Sequence, residues 1–127
     1  MITMKLLHTG IHLSTKKNVD RFFGQLLKLE PAREYTVPVE LMRDIFLMEE
    51  EASVRIYSIG GQEVEVFFDM GPSVPSVNHL CLKVEDMEDF ISRALELGFH
   101  VLEEEREGKP NLVFVYDDDE NPYEIKG

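Results

Sequence analysis

Two histidine–glutamate pairs recur at matching places in the two halves of this 127-residue chain, and this repeat constrains the fold most. His8 lies in a strand-like run that opens the first half, and Glu65 lies in the alternating segment that ends it. His79 and Glu124 occupy the corresponding places in the second half. If the halves pack as related units, the four side chains can converge on one point. Imidazoles and carboxylates together are suitable ligands for a divalent metal ion.

The first half has a predicted order of strand, helix and further strands. Apolar residues at three- and four-residue spacing predict a helix after the capping hydroxyls of Ser14 and Thr15, and Pro31 ends the pattern. Residues 32–48 have no clear periodicity beyond a short helical turn near residues 40–46, and residues 36–39 are compatible with either a strand or a loop. Gly60-Gly61 predicts the tight turn of a hairpin that leads into the segment containing Glu65.

The second half repeats this order, which predicts the architecture of the whole chain. Asp86 is a predicted N-cap and Gly98 a predicted helix end, with strands before and after the helix. The prolines and glycine of residues 71–76 predict a connector between modules at about 1–70 and 77–127. We therefore expect an α+β fold, a single domain of two paired β-α-β-β-β modules.

The composition excludes several classes of partner. A formal net charge of −12 disfavours nucleic acid, and no basic stripe interleaves with aromatic residues. No apolar run approaches the roughly 18 residues of a membrane span, and no secretory signal is visible. The single cysteine, Cys81, excludes an intrachain disulfide, fits a reducing compartment and is predicted to be buried between leucines. We expect a cytoplasmic protein that acts on a small molecule.

Several segments together resemble the vicinal oxygen chelate superfamily, which includes glyoxalases, methylmalonyl-CoA epimerases, extradiol dioxygenases and bleomycin or fosfomycin resistance proteins. Residues 6–9, the pair Phe22-Phe23 and residues 65–68 are similar to the first module of that family. Residues 79–98 and the closing segment 117–125 are similar to its second module. The resemblance implies a glyoxalase-like, open cupped sheet. It also implies a homodimer, with sites either within one chain or across the dimer interface.

The same resemblance implies which residues bind the metal. His8, Glu65, His79 and Glu124 fall at the family's ligand positions, and all four are able to bind a metal ion. Zn, Ni, Co, Mn and Fe are all compatible with this ligand set. Glu63 stays an alternative to Glu65, because strand alternation places both on one face.

Three further residues are predicted to line the substrate pocket: His12, Phe67 and Asp69. His12 and Asp69 stand where glutathione-dependent glyoxalases typically have an arginine and an asparagine, which argues against glutathione as the substrate. The family's glycine after the first helix is also replaced, near Lys28, which indicates a changed helix exit.

The predicted activity is that of a metal-dependent lyase or isomerase of glyoxalase or epimerase type. A chelating substrate with adjacent oxygens would react through an enolate, with Glu124 or Glu65 as the base. A ring-cleaving dioxygenase is the first alternative, although it normally uses two histidines and one carboxylate, and Glu65 would be a fourth ligand. A non-catalytic binding or resistance protein is the other alternative. Its cavity would be lined by Phe67, Tyr57, Phe114 and Tyr116.

Overall fold

The computed structural model describes residues 3–74 and 76–127, and it contains eight strands and three helical segments within these ranges. The strands are β1 (His8–His12), β2 (Arg33–Val37), β3 (Ala52–Ile59), β4 (Gln62–Phe68), β5 (Leu80–Lys83), β6 (His100–Arg106), β7 (Lys109–Tyr116) and β8 (Pro122–Lys126). The helices are α1 (Lys16–Val19), which continues as a π-helical segment (Asp20–Leu26), α2 (Val39–Phe46) and α3 (Met87–Glu96).

The two halves form two four-stranded sheets with the same topology. Their strand orders are β1-β4-β3-β2 and β5-β8-β7-β6. In each sheet the first strand runs parallel to the last strand of its half, and the other neighbours are antiparallel. The predicted α+β fold of two β-α-β-β-β modules is confirmed, with α2 as an addition to the first. The predicted connector falls between β4 and β5, and its residue 75 lies outside the described residues.

The first helix forms as its spacing predicts, but it ends earlier than Pro31. Thr15 caps it by accepting a hydrogen bond from the backbone N–H of Asn18 at 3.2 Å. The π-helical segment ends at Leu26, and Lys28 then adopts a left-handed conformation with φ of 57°. This conformation is the one that glycine adopts most easily, so Lys28 keeps a glycine-like exit from the helix.

One hydrophobic core joins the two modules. Phe22 stacks on Tyr123 of the second module with ring centroids 4.1 Å apart, while Phe23 stacks on Tyr57 of the first module at 4.9 Å. The core occupies one face of each sheet, because alternate strand residues point inward. Its central members are fully buried: Leu13, Val19, Phe22, Phe23, Leu26, Val66, Ala94, Val115 and Tyr123.

Polar contacts from the turn between β7 and β8 fix the second module to the first. A carboxylate oxygen of Asp119 accepts the backbone N–H of Ser14 at 2.8 Å, and the side-chain amide of Asn121 donates to the His12 carbonyl at 2.9 Å. Beneath this turn, the buried carboxylate of Asp117 accepts the Tyr123 hydroxyl at 2.7 Å. Burial raises the pKa of Asp117, although hydrogen bonds from Asn121, Tyr123 and Asp119 oppose the shift.

The second face of the first sheet is partly covered by α2. Met42 is fully buried there, in a smaller apolar cluster with Val54, Ile56 and Met70. The rest of the apolar side of α2 remains exposed, including Leu41. In the described ranges, no helix is both long enough and apolar enough to cross a membrane.

Candidate metal and substrate site

The first histidine–glutamate pair lies on the face of the first sheet that points away from the main core. β1 and β4 run side by side in parallel, with Gly10 opposite Glu65. Nε2 of His8, two residues before Gly10, lies 3.4 Å from Oε1 of Glu65. We call these two residues the first half-site.

The second pair has the same relation in the second sheet. β5 and β8 are parallel, with Cys81 opposite Glu124. Nε2 of His79, two residues before Cys81, lies 3.7 Å from Oε1 of Glu124. We call this pair the second half-site. Cys81 is exposed on the strand, so the prediction that it is buried between leucines was wrong. Alternation places the flanking leucines, and not the cysteine, toward the core.

Neighbouring side chains distinguish Glu65 from Glu63. Glu63 accepts a hydrogen bond from the Arg33 guanidinium at 3.1 Å, so it is engaged at the outer end of the sheet. Glu65 instead faces His8 and also accepts a hydrogen bond from the Tyr35 hydroxyl at 3.4 Å. This arrangement favours Glu65 as the ligand-type carboxylate.

Tyr35 is a site residue that the sequence analysis missed. It lies on β2, within the segment that showed no clear periodicity, and its neighbour across the strand pair is Val54. Partial burial raises the pKa of Tyr35, and the charge of Glu65 adds to the shift. The hydroxyl therefore stays protonated and donates to Oε2 of Glu65. The one indication in the sequence was residues 36–39, which were compatible with either a strand or a loop.

The two half-sites do not meet within one chain. Across residues 3–74 and 76–127, no three or more His, Cys, Asp or Glu side chains group closely enough to hold a metal ion. Each half-site has one imidazole and one carboxylate, and both types of group are common ligands of divalent metal ions. Two donors are fewer than the three or four protein ligands of typical zinc sites, so neither pair alone matches such a site.

The second half-site has different neighbours from the first. Oε2 of Glu124 lies 3.4 Å from Nζ of Lys126, whose side chain is 61% exposed. The ring of His79 lies 5.8 Å from that of Phe114, centroid to centroid. An exposed lysine is a mobile partner, so Glu124 is held less firmly than Glu65.

A cavity of about 690 Å³ lies between β1, α2 and the connector. His12 and Phe67, two of the predicted pocket residues, line it, and so does His79 of the second half-site. Asp69, the third predicted pocket residue, is not part of the lining and lies in an exposed turn with φ of 56°. Tyr57, which was predicted as a cavity residue in the binding-protein alternative, is buried in the core.

The fold and the paired His–Glu positions together define a glyoxalase-like α+β protein, and sequence comparison identifies the family. The pattern of the Glyoxalase/Bleomycin resistance protein/Dioxygenase superfamily matches residues 7–116. The chain therefore belongs to this superfamily, whose members include metal-dependent enzymes. No match was found among curated proteins.

Solved structures with the same fold cover nearly the whole chain. A glyoxalase family protein from Enterococcus faecalis is 24% identical, with a TM-score of 0.74 and 100% of both chains covered. The fosfomycin resistance protein FosX from Listeria monocytogenes, in a mutant form complexed with Mn(II) and 1S,2S-dihydroxypropylphosphonic acid, is 16% identical, with a TM-score of 0.70 and coverage of 99% and 90%. The trypanothione-dependent glyoxalase I from Leishmania major is 17% identical, with a TM-score of 0.71 and coverage of 98% and 87%.

Proposed function

We propose that this protein is a divalent-metal-dependent lyase or isomerase that works as a homodimer. In this proposal, each metal site combines the first half-site of one protomer with the second half-site of the other. The observation that supports it is the presence of two equivalent His–Glu pairs that remain apart within one chain. A two-fold dimer brings such pairs together twice, because an isologous interface repeats every contact.

The ligands of the proposed site are His8 and Glu65 from one protomer with His79 and Glu124 from its partner copy. A divalent ion bound there supplies Lewis-acid stabilisation of negative charge on the adjacent oxygens of a small substrate. The superfamily and the Mn(II) complex of FosX are consistent with this ligand chemistry. Zn, Ni, Co, Mn and Fe are all candidates for the ion.

Glu124 is the better candidate for the base that removes a proton beside the substrate carbonyl. Glu65 is held by the Tyr35 hydroxyl on one oxygen and faces His8 with the other, which fixes its orientation. Among the described residues, the charged or titratable neighbours of the Glu124 oxygens are the exposed Lys126 and His79. A carboxylate that must accept and return a proton needs such freedom to move.

The two alternatives differ in what supports them. A ring-cleaving dioxygenase is disfavoured, since Glu65 would occupy a position that oxygen chemistry needs free. A non-catalytic binding protein is supported by the size of the cavity, which is in the range of small-molecule sites. That alternative requires no metal and no proton exchange.

Metal content and proton exchange test the proposal together. Elemental analysis of the purified dimer should give nearly one metal ion per chain, and the Glu65→Ala and His79→Ala variants should lose most of it. Glu63→Ala is the matched control, because Glu63 lies on the same strand but binds Arg33. The holoprotein should also exchange an α-proton of an α-hydroxycarbonyl substrate with deuterium from solvent. A protein without metal, after reconstitution with each of the five ions, would overturn the proposal.

A further inference from the structure

We infer that the 690 Å³ cavity receives an uncharged, apolar group of the substrate, such as an aryl or branched alkyl group, and rejects anionic groups. The inference rests on the proposed function only in taking this group to belong to the substrate of the same site. His79 lines the cavity and belongs to the second half-site, so the cavity and the proposed metal site are continuous.

The wall of the cavity is apolar and adaptable. Three methionines line it, Met42, Met48 and Met70, and thioether side chains adjust to irregular apolar surfaces. Phe46 and Phe67 complete this wall, with their rings edge to face and centroids 5.4 Å apart. An aryl or alkyl group would therefore find dispersion contacts on several sides.

The cavity offers no charge partner to an anion. Its described lining residues include no lysine, arginine, aspartate or glutamate. His12 donates from Nε2 to the Gly71 carbonyl at 3.2 Å, and the amide of Asn121 donates to the His12 carbonyl and to Asp117. These donors are already used within the protein. The other polar lining groups are neutral, such as those of Thr9, Ser76 and Asn78. A phosphonate or carboxylate would therefore lose its hydration there without a lysine or arginine to compensate its charge.

The cations near the half-sites are also engaged. Arg33 pairs with Glu63 and Lys126 lies against Glu124, and neither cation lines the cavity. The formal net charge of −12 further disfavours an anionic molecule at this surface. The apolar lining and the negative net charge of the protein thus both favour an uncharged, apolar ligand group.

Two matched probes test the inference: 2-naphthol, which is neutral at pH 7, and 2-naphthoate, which carries a carboxylate. Isothermal titration calorimetry measures each against the full chain as purified, and again after dialysis against a chelator. We expect 2-naphthol to bind at least about 10-fold more tightly than 2-naphthoate after dialysis, when no metal ion is present to ligate the carboxylate. Equal affinities after dialysis, tighter binding of naphthoate after dialysis, or no binding of either probe would overturn the inference.

A charge placed at the cavity provides a second test. Met48 lines the cavity and is partly exposed, so Met48→Lys adds a cation without burying it fully. This variant should weaken 2-naphthol and strengthen 2-naphthoate, reducing the preference by about 10-fold. Leu41→Lys is the control, because Leu41 is exposed near α2's start and does not line the cavity. Equal effects of both variants would contradict the inference.

The proposed function is judged separately, from the metal content of the same preparations. Protein that takes up none of the five ions on reconstitution and still prefers 2-naphthol would overturn the proposed function and leave the inference standing. Protein that purifies with the expected metal content but shows no such preference after dialysis would overturn the inference and leave the proposed function standing.

Discussion

The two half-sites share one backbone arrangement but differ in what surrounds their carboxylates. Glu65 accepts a hydrogen bond from the hydroxyl of Tyr35, which lies on β2 of the same sheet. Helix α2 covers part of the same sheet face. Glu124 has the exposed Lys126 instead, and α2 has no counterpart in the second module. The repeat therefore preserves the ligand positions, while additions to the first module determine how firmly each ligand is held.

The turns before the last strand of each module differ in a similar way. In the first module, Gly60-Gly61 makes a tight turn with positive φ at both residues, which glycine accommodates without strain. In the second module, residues 117–121 form a longer polar turn that reaches across to Ser14 and His12. The longer turn of the second module thus contributes polar contacts that orient one module against the other.

The largest expected effect comes from replacing the two carboxylates separately with glutamine. Glu124→Gln should slow solvent deuterium exchange of the substrate by about 1,000-fold, because it removes the proposed base. Glu65→Gln should act mainly on metal affinity. Exchange rates measured at saturating metal separate the two variants, and equal rates in both would remove the functional difference between the half-sites.

The next largest effect is expected on stability, from replacing a residue of the core that the two modules share. Phe22→Ala should lower the free energy of unfolding by about 3 kcal/mol, because a fully buried ring between the modules is lost. Phe46→Ala, at a ring that is 47% exposed, should cost much less. Urea denaturation measures both. Similar losses would mean that the modules are not held together through Phe22.

Tyr35→Phe should weaken metal binding by about 10-fold, since it removes the hydrogen bond that orients Glu65. Lys126→Met removes the corresponding neighbour of Glu124 and should change metal affinity by less than about threefold, because an exposed ion pair contributes little. Competition with a chelator gives both affinities. If Lys126→Met weakened metal binding more than Tyr35→Phe does, Glu124 and not Glu65 would be the carboxylate that depends more on its neighbour.

The smallest expected effect is on the pH dependence of the free energy of unfolding, through Asp117 in the polar turn. The pKa of Asp117 is raised by burial, so the folded protein binds more protons than the unfolded chain above the ordinary value of 3.8. Its contribution to stability is therefore lost as the pH rises from 3.8 through the raised pKa. Asp117→Asn should make the stability curve fall less steeply over this range. Urea denaturation across this range measures the difference, and parallel curves would contradict it.

Local patterns predicted most of the fold because they come from neighbouring residues. The cap at Asp86, the Gly60-Gly61 turn and the spacing of Phe22, Phe23 and Leu26 all depend on residues a few positions apart. The same holds for the strands that position each histidine beside its glutamate.

Features that depend on distant contacts were not predictable. Leu41 and Ile45 form the apolar spacing of α2, yet both are exposed and Met42 is the buried residue, because the helix packs on the outer face of the sheet. Tyr35 approaches Glu65 only once β2, β3 and β4 are aligned. The separation of the half-sites likewise depends on how the modules pack, which no local pattern determines.

Complementation between two defective chains tests most directly whether the half-sites of different protomers form one metal site. One chain carries His8→Ala and Glu65→Ala, and the other carries His79→Ala and Glu124→Ala. Each alone should bind no metal in elemental analysis. After mixing with random exchange of protomers, about one quarter of the wild-type metal content should return, because each mixed dimer contains one intact site. If mixing restores no metal while wild-type protein binds it, the sites are not shared between chains and the account is wrong.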